Sequence, residues 1–240
     1  MVLYYIRHGD PVYDPDSLTE EGHRQAQALA ERFKLHPFDE IYCSTSVRAQ
    51  MTAEPTCNAL RKKMILLDWA HEANAGKYFF AKRTDGRETW AFYEPRTRRA
   101  FNAPDVRALG NDWTSSPRFR DTRYAEGVAF INKSTDGFMR TLGYEHDREN
   151  GYYTTGLPED NRRIALFAHQ GIGFAFLSSL LDIPYPYFST HYDIGHTGVT
   201  VIEFRRRDDD VIFPCVLQHS NDSHLFAAGL STTYNGREDL

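Results

Sequence analysis

The sequence of 240 residues has only three cysteines, Cys43, Cys57 and Cys215, which are far apart and form no C-x-x-C pair. They offer no disulfide framework, so we expect reduced thiols, as is typical of a cytoplasmic protein, and we predict that all three are small core residues. No apolar run approaches the ~20 residues needed to cross a bilayer. The sequence shows no basic segment followed by a long apolar one, so no signal peptide is predicted. We therefore predict a soluble cytoplasmic protein with no membrane partner.

An excess of basic residues is also missing, since 28 Lys and Arg stand against 33 Asp and Glu for a net charge of −5. General nucleic-acid binding needs such an excess, so no nucleic-acid partner is expected. Four histidines lie near the carboxyl end, at positions 191, 196, 219 and 224. None of them forms an H-x-x-x-H or H-E-x-x-H pair, so we predict neither a metal site nor a cofactor. His196 could instead lie beside a pocket, because it directly precedes a strand-like run. His23, His36 and His146 are expected at the surface.

Short apolar runs alternate with segments of helical spacing along most of the chain. The strand-like runs are 2–6, 41–43, 64–67 and 163–168, and the helical segments are about 20–33, 47–60, 124–142 and 172–181. Residues 198–204 and 211–217 predict an antiparallel hairpin around the charged turn 205–210. This alternation predicts an α/β fold: a three-layer α/β/α arrangement with a mostly parallel sheet and an antiparallel edge hairpin.

Residues 77–123 interrupt the alternation with aromatic side chains interleaved with basic ones. Eleven Lys and Arg face six Asp and Glu there. The segment could be a cap or lid that attracts an anionic ligand, or a small helical subdomain packed by its own aromatics with solvated arginines outside. We expect one domain over 1–240, with 77–123 as a cap or lid insertion whose exposed aromatics would offer a homodimer contact.

Polar residues follow two of the predicted strands. Arg7-His8-Gly9 ends the first strand, His169-Gln170-Gly171 ends the fourth, and Arg48 opens the helix after the second. Each pattern alone is explained by a strand that ends in polar surface residues. If the strands are parallel neighbours, however, their ends meet at one sheet edge, where open α/β folds bind ligands. Two arginines and two histidines would then form an electropositive pocket.

Such a pocket suits phosphoryl chemistry. The planar fork of arginine matches a tetrahedral phosphoryl group and stays charged. A neutral imidazole can attack phosphorus, a second, protonated histidine can stabilise the equatorial oxygens, and a carboxylic acid can protonate the leaving alcohol. The glycine after His8 permits close approach of a ligand to the backbone.

These residues resemble the histidine phosphatase superfamily, which includes cofactor-dependent phosphoglycerate mutases. The likeness rests on five stretches in the expected order: Arg7-His8-Gly9, 18–26, 43–53, 167–169 and 219–225. Segment 77–123 is not covered. Two departures are Gln170, in place of the usual first glycine after the second histidine, and Thr45, in place of a familiar proline.

The resemblance implies a role for each matching residue. His8 would be the phosphorylated nucleophile, and Arg7, Gly9, Arg48 and His169 would hold the phosphoryl group, with His169 also acting in catalysis. Glu72 lies where the family commonly has its proton donor, although a loop glutamate is also often merely solvated. The implied partner is a small anionic phosphorylated substrate.

Three functions remain open. A metal-independent phosphatase that hydrolyses a small phosphomonoester through phosphohistidine is favoured, because only residues 10–16 separate the R-H-G motif from Ser17-Leu18 at the start of the first-helix stretch. The family's mutases have a longer segment there. The alternatives are phosphoglycerate mutase-type transfer and a non-catalytic domain that binds phosphorylated ligands.

Overall fold

The computed structural model describes residues 1–206, 210–232 and 235, so Arg207, Asp208 and Asp209 of the predicted charged turn lie outside the described residues. The central sheet has six strands in the order β12-β11-β1-β10-β4-β5. Their bounds are β1 Val2–Arg7, β4 Glu40–Ser44, β5 Met64–Leu67, β10 Arg163–Ala168, β11 Val199–Glu203 and β12 Cys215–Asn221. Three two-stranded ribbons complete the strands: β2 Pro11–Tyr13 with β3 Asp16–Leu18, β6 Phe80–Lys82 with β7 Glu88–Trp90, and β8 Tyr144–Asp147 with β9 Tyr152–Thr155.

The sheet is mostly parallel, as the sequence predicts. β1, β10, β4 and β5 pair in parallel, and β11 is antiparallel to both β1 and β12. The register sets Arg7 opposite Ala168 and Cys43 opposite Phe167. The carboxyl ends of β1, β10 and β4 therefore meet at one edge.

Helices cover both faces of the sheet, which confirms the three-layer arrangement. Alternate residues of a strand point to opposite faces. Leu3 and Tyr5 accordingly lie in one buried cluster and Ile6 in another. The Ile6 cluster is completed by α1 and α2, and the Leu3 cluster by α3, α6 and α7. The helices are α1 Glu20–Lys34, α2 Val47–Leu60, α3 Glu72–Phe79, α4 Pro95–Phe101, α5 Pro104–Arg107, α6 Tyr124–Thr141, α7 Gln170–Leu181, α8 Tyr185–His191 and α9 Ser223–Ala227.

Hydroxyl caps fix the starts of the first two helices. The Oγ1 of Thr19 accepts from the N–H of Gly22, and the Oγ of Ser46 accepts from the N–H of Ala49. Each bond satisfies one of the N–H groups that lack a partner in the first turn of a helix. The capping of α2 matters for function because Arg48 is its second residue.

Segment 77–123 is packed by its own aromatic side chains. Phe101, Trp113 and Phe119 are buried against one another and against Tyr124 and Tyr185. All eleven Lys and Arg of the segment are exposed. The arrangement is the one expected of an aromatic subdomain with solvated arginines. Its stretch 90–93 contacts the start of α7, as described below.

Four details of the sequence-based prediction are wrong. Pro11 and Pro15 predict irregular structure over residues 10–16, but Pro11–Tyr13 and Asp16–Leu18 form the β2–β3 ribbon. Pro11 is the first residue of a strand, which is a position that tolerates proline. The second hairpin strand begins at Cys215 rather than 211, because Ile212 instead bridges to Tyr153. Cys215 is exposed rather than a core residue.

The fourth correction concerns His146, which was expected at the surface. Its side chain is fully buried between Asp136 and Asp182. His23 and His36 are exposed, as predicted. Within the described ranges, none of the helices combines the length and the apolar character that crossing a membrane requires.

Candidate active site

His8 and His169 lie side by side at the ends of β1 and β10. The parallel register brings them together, and their ring centroids are 5.1 Å apart. Both are buried, with 3% and 0% of their surfaces exposed. The two histidines predicted from separate motifs therefore share one site.

A hydrogen bond fixes the tautomer of His8. Its Nδ1 lies 2.7 Å from the carbonyl oxygen of Gly9. Because a carbonyl only accepts, Nδ1 carries the proton and the lone pair of the neutral ring lies on Nε2. Burial and the nearby positive charge of Arg7 lower the pKa of His8 well below its ordinary value. The ring is therefore neutral at pH 7, with Nε2 available as a nucleophile.

Gly9 allows the chain to pass closely beneath α1. A Cβ atom at this position would lie 2.8 Å from the carbonyl oxygen of Gly22, which is too close for any side chain. The N–H of Gly9 donates to Oγ1 of Thr52 at 3.0 Å. Thr52 in turn donates to the carbonyl of Arg48, so the turn after His8 is tied to α2. The Gly9 N–H is thus bonded within the protein.

His169 is anchored on both its backbone and its ring. The hydroxyl of Tyr5 donates to its carbonyl at 2.5 Å, and its Nε2 lies 2.8 Å from Oγ of Ser44. Burial lowers the pKa of His169 well below its ordinary value, and the charge of Arg48 adds to this. The ring is therefore neutral here, unlike the protonated second histidine that was expected. A phosphate dianion beside it would raise the pKa again.

Arg7 is held by the segment that precedes β11. Its Nη1 donates to the carbonyl of Ile194 at 2.6 Å and to Oδ1 of Asn235 at 2.8 Å. Its Nη2 donates to Nε2 of His196 at 2.9 Å. His196 therefore lies in the pocket, with its ring 5.7 Å from that of His8. Burial together with the charge of Arg7 lowers the pKa of His196 to about 3.

Arg48 reaches the same pocket from α2. Only 8% of its surface is exposed, and its Nη1 lies 2.7 Å from Oδ1 of Asp16 on β3. The other oxygen of Asp16 accepts from the N–H of Val47, so one carboxylate holds both the side chain and the start of its helix. The guanidinium also lies over the ring of Tyr13, 5.5 Å from its centroid.

Among the described residues, four buried nitrogens at this edge have no hydrogen-bond partner. They are Nε of Arg7, Nε of Arg48, Nδ1 of His169 and Nδ1 of His196. A buried polar group without a partner costs roughly 1–3 kcal/mol. Four such groups from four separate segments fit a site for a multivalent oxygen ligand.

Glu72 is the first residue of α3 and lies against the start of α7. Its two carboxylate oxygens each accept a backbone N–H at 2.8 Å, one from Gly171 and one from Ile172. Burial raises the pKa of Glu72 and outweighs these hydrogen bonds and the charges of Arg48 and Arg7. Its neighbour His71 has its ring 6.1 Å from that of His169. The predicted loop glutamate is thus a half-buried group that opens a helix at the same sheet edge.

Gln170 forms a part of the site that the sequence did not predict. Its Nε2 donates to Oδ1 of Asp193 at 2.5 Å, and its Oε1 accepts from the hydroxyl of Tyr93 at 3.1 Å. Beside it, the ring of Trp90 packs on Gly171 so closely that a Cβ would lie 2.4 Å from that ring. The only signal in the sequence was that Gln170 stands where the family usually has glycine.

Comparisons with known proteins agree with this geometry. The family model described as histidine phosphatase superfamily (branch 1) matches residues 3–124, which is half of the chain. A comparison with curated proteins gives no match. A mycobacterial glucosyl-3-phosphoglycerate phosphatase with inorganic phosphate is 21% identical, with 93% of this chain and 98% of that chain covered and a TM-score of 0.59.

Two further solved structures share the fold at a similar level of sequence identity. A phosphoserine phosphatase variant from Entamoeba histolytica in complex with phosphoserine is 20% identical, with 93% and 98% of the two chains covered and a TM-score of 0.59. The alpha-ribazole phosphatase from Shigella flexneri is also 20% identical, with 92% and 97% covered and a TM-score of 0.55. The match of the family model over Arg7, His8, Gly9, Arg48 and Glu72 establishes that the chain belongs to the histidine phosphatase superfamily.

Proposed function

We propose that the protein is a metal-independent phosphatase that hydrolyses a small phosphomonoester through a phosphohistidine intermediate on His8. The observation that carries the proposal is the neutral His8 ring, whose Nδ1 donates to Gly9 and whose Nε2 lone pair lies in a buried pocket with Arg7 and Arg48. A nucleophile with a lone pair beside two fixed cations is what attack on a phosphate ester requires.

In the first step, Nε2 of His8 forms a bond to phosphorus while the bond from phosphorus to the ester oxygen breaks. Arg7, Arg48 and His169 bind the equatorial oxygens and stabilise their charge. The three unpartnered nitrogens of these residues are the donors available for that role. Glu72 gives its proton to the departing alkoxide, and its raised pKa keeps a fraction of the acid protonated near neutral pH.

In the second step, a water molecule attacks phosphorus and the bond to His8 breaks. Glu72, now ionised, takes a proton from that water, so the acid of the first step is the base of the second. Inorganic phosphate leaves and the neutral His8 ring is restored.

We further propose that segment 77–123 caps the leaving-group side of the pocket through its stretch 90–93. The contacts that support this are those of Tyr93 with Gln170 and of Trp90 with Gly171. The relatives whose names specify phosphoserine and glucosyl-3-phosphoglycerate act on small phosphorylated compounds, which favours a substrate of that size here.

The test is phosphate release from a panel of phosphomonoesters in EDTA, with wild type and His8→Ala compared at equal concentration. We expect wild-type turnover that falls by at least ~10³-fold in the variant. Acid-labile, base-stable phosphate on the wild-type protein after quenching would identify phosphohistidine. Transfer of the group to a second alcohol, without net release, would indicate a mutase. Equal turnover in both proteins would refute the mechanism.

A further inference from the structure

The rim of the pocket on the leaving-group side contains a carboxylate, Asp193. Its Oδ1 accepts three hydrogen bonds, from Nε2 of Gln170, from the N–H of Ile194 and from Nδ2 of Asn235. Asp193 is exposed, and none of the hydrogen bonds of the described residues uses its Oδ2. The side chain is therefore fixed by one oxygen while the other is accessible to a ligand.

Asp193 is tied to both functional ends of the site. The amide of Asn235 donates to Asp193 and accepts from Nη1 of Arg7, so a single amide group separates the carboxylate from a phosphate-binding arginine. Gln170 binds Asp193, and the next two residues along α7 donate to Glu72. The proton donor and the rim carboxylate thus flank the same first turn, where the leaving group must lie.

Among the described residues, the basic side chains of segment 77–123 make no hydrogen bond to this rim. The eleven Lys and Arg of segment 77–123 are exposed. Those that form ion pairs do so with other surface groups, such as Arg118 with Asp105 and Arg123 with Glu126. Within the described part of the chain, none of the eleven is bonded to Gln170, Glu72 or Asp193. The aromatic neighbours Tyr13 and Tyr93 add exposed ring surface but no cation.

We propose, on the basis of the proposed function, that Asp193 determines specificity by accepting a hydrogen bond from the leaving group. The enzyme then prefers phosphomonoesters whose alcohol carries an ammonium or hydroxyl group near the ester and discriminates against those that carry a carboxylate or a second phosphate. A fixed carboxylate attracts a donor and repels an anion at short range. Gln170 is the positioning residue, because its amide orients Asp193 and is itself held by Tyr93.

Four phosphomonoesters of two carbons each test this preference. O-phosphoethanolamine ends in ammonium, 2-hydroxyethyl phosphate in hydroxyl, ethyl phosphate in methyl and 2-phosphoglycolate in carboxylate. Their dissociation constants are measured by calorimetry on His8→Ala, which binds the esters without transferring the phosphoryl group. Affinity is then independent of the differing reactivity of the four alcohols.

We expect His8→Ala to bind the ammonium ester at least ~10-fold more tightly than the carboxylate ester, since one charge-assisted hydrogen bond is worth about that factor or more. Adding Asp193→Asn should reduce this ratio at least ~10-fold. The asparagine retains an oxygen for the bonds from Gln170, Ile194 and Asn235, so the fold is preserved. Gln170→Gly should reduce the same affinity ratio by a smaller factor, because Asp193 then loses the side chain that orients it. Asp121→Asn, the same change at an exposed position of the insertion, should leave it unaltered.

A ratio at or below one in His8→Ala, or a ratio that Asp193→Asn does not change, would overturn the inference. Hydrolysis of p-nitrophenyl phosphate, whose leaving group has no donor, separates the two proposals. Wild-type turnover of that ester combined with no ammonium preference refutes only the role of Asp193. An ammonium preference in binding without any turnover supports the role of Asp193 and refutes the phosphatase.

Discussion

The Nδ1 atom of His8 and the carbonyl oxygen of Gly9 are 2.7 Å apart, and this contact between neighbouring residues selects the ring nitrogen that can react. No other residue is needed to orient the proton. The lowered pKa of His8 follows from burial beside Arg7, so neither tautomer nor charge should change over the neutral range.

We therefore predict that His8 keeps a proton on Nδ1 and a lone pair on Nε2 at pH 6.5, where an unperturbed imidazole is half protonated. Two-bond correlations between ring protons and nitrogens in the ¹⁵N-histidine-labelled protein report this state directly. His8→Gln assigns the signal by its loss. A His8 signal that became imidazolium with a midpoint near 6.5 would disprove the prediction.

Arg48 should be required for phosphate affinity. We expect Arg48→Ala to weaken binding of inorganic phosphate by roughly 10–100-fold, since bonds between a charged donor and an anion contribute about 1.5–3 kcal/mol. The phosphate affinity of Arg48→Lys should lie between those of wild type and Arg48→Ala, because lysine keeps the positive charge but lacks the planar guanidinium. The matched control is Arg118→Ala, which removes an exposed arginine that pairs with Asp105. Calorimetry measures all four proteins, and equal affinities for wild type and Arg48→Ala would place Arg48 outside the phosphate site.

Glu72→Gln should slow esters of poor leaving groups far more than p-nitrophenyl phosphate, because p-nitrophenolate leaves with little protonation. We expect a loss of at least ~10²-fold for an alkyl ester and a much smaller loss for the aryl ester. The glutamine retains one oxygen to accept from the first turn of α7. Glu88→Gln, an exposed position on β7, is the control. Equal losses on both esters would indicate that Glu72 only supports the helix.

Buried His224 should make the protein less stable in acid. Burial lowers the pKa of His224 to about 4, whereas the unfolded chain binds its proton near 6.5. Its stabilising effect is complete above pH 6.5 and is lost as the pH falls towards 4. We expect the free energy of unfolding, measured in urea, to fall between pH 6.5 and 5.0 by about 2 kcal/mol less in His224→Gln than in wild type. An unchanged pH slope would contradict the lowered pKa.

The contribution of His146 to stability should have the opposite pH dependence to that of His224. Its two ring nitrogens face Asp136 at 3.2 Å and Asp182 at 2.8 Å, and the hydrogen bonds to these carboxylates raise its pKa despite burial. Its contribution is complete below pH 6.5 and is lost as the pH rises through the folded pKa. His146→Gln should therefore reduce the unfolding free energy more at pH 6 than at pH 9. A larger loss at pH 9 would show that the ring is neutral in the folded protein.

The histidines and arginine of the candidate site could be predicted to lie together because their positions follow directly from strand order. Arg7, His8 and His169 end apolar runs, and parallel neighbours place such ends together. His146 was mispredicted because its partners, Asp136 and Asp182, are distant in sequence and polar neighbours made it look exposed. Gln170 and Asp193 were missed for a related reason, since their contact depends on how the segment before β11 folds over α7. Tertiary pairing of polar groups leaves no periodic trace in a sequence.

The position of β1 has a consequence for how the protein is made. β1 pairs with β10 and β11, so its neighbours in the sheet are encoded about 160–200 residues later. His8 is synthesised long before these neighbours, and its pocket is complete only after β11 and the segment that holds Arg7 have been made. Such long-range pairing slows folding. A nascent chain that ends before residue 163 should thus be unable to bind phosphate, and activity should appear only after β10 and β11 have been synthesised.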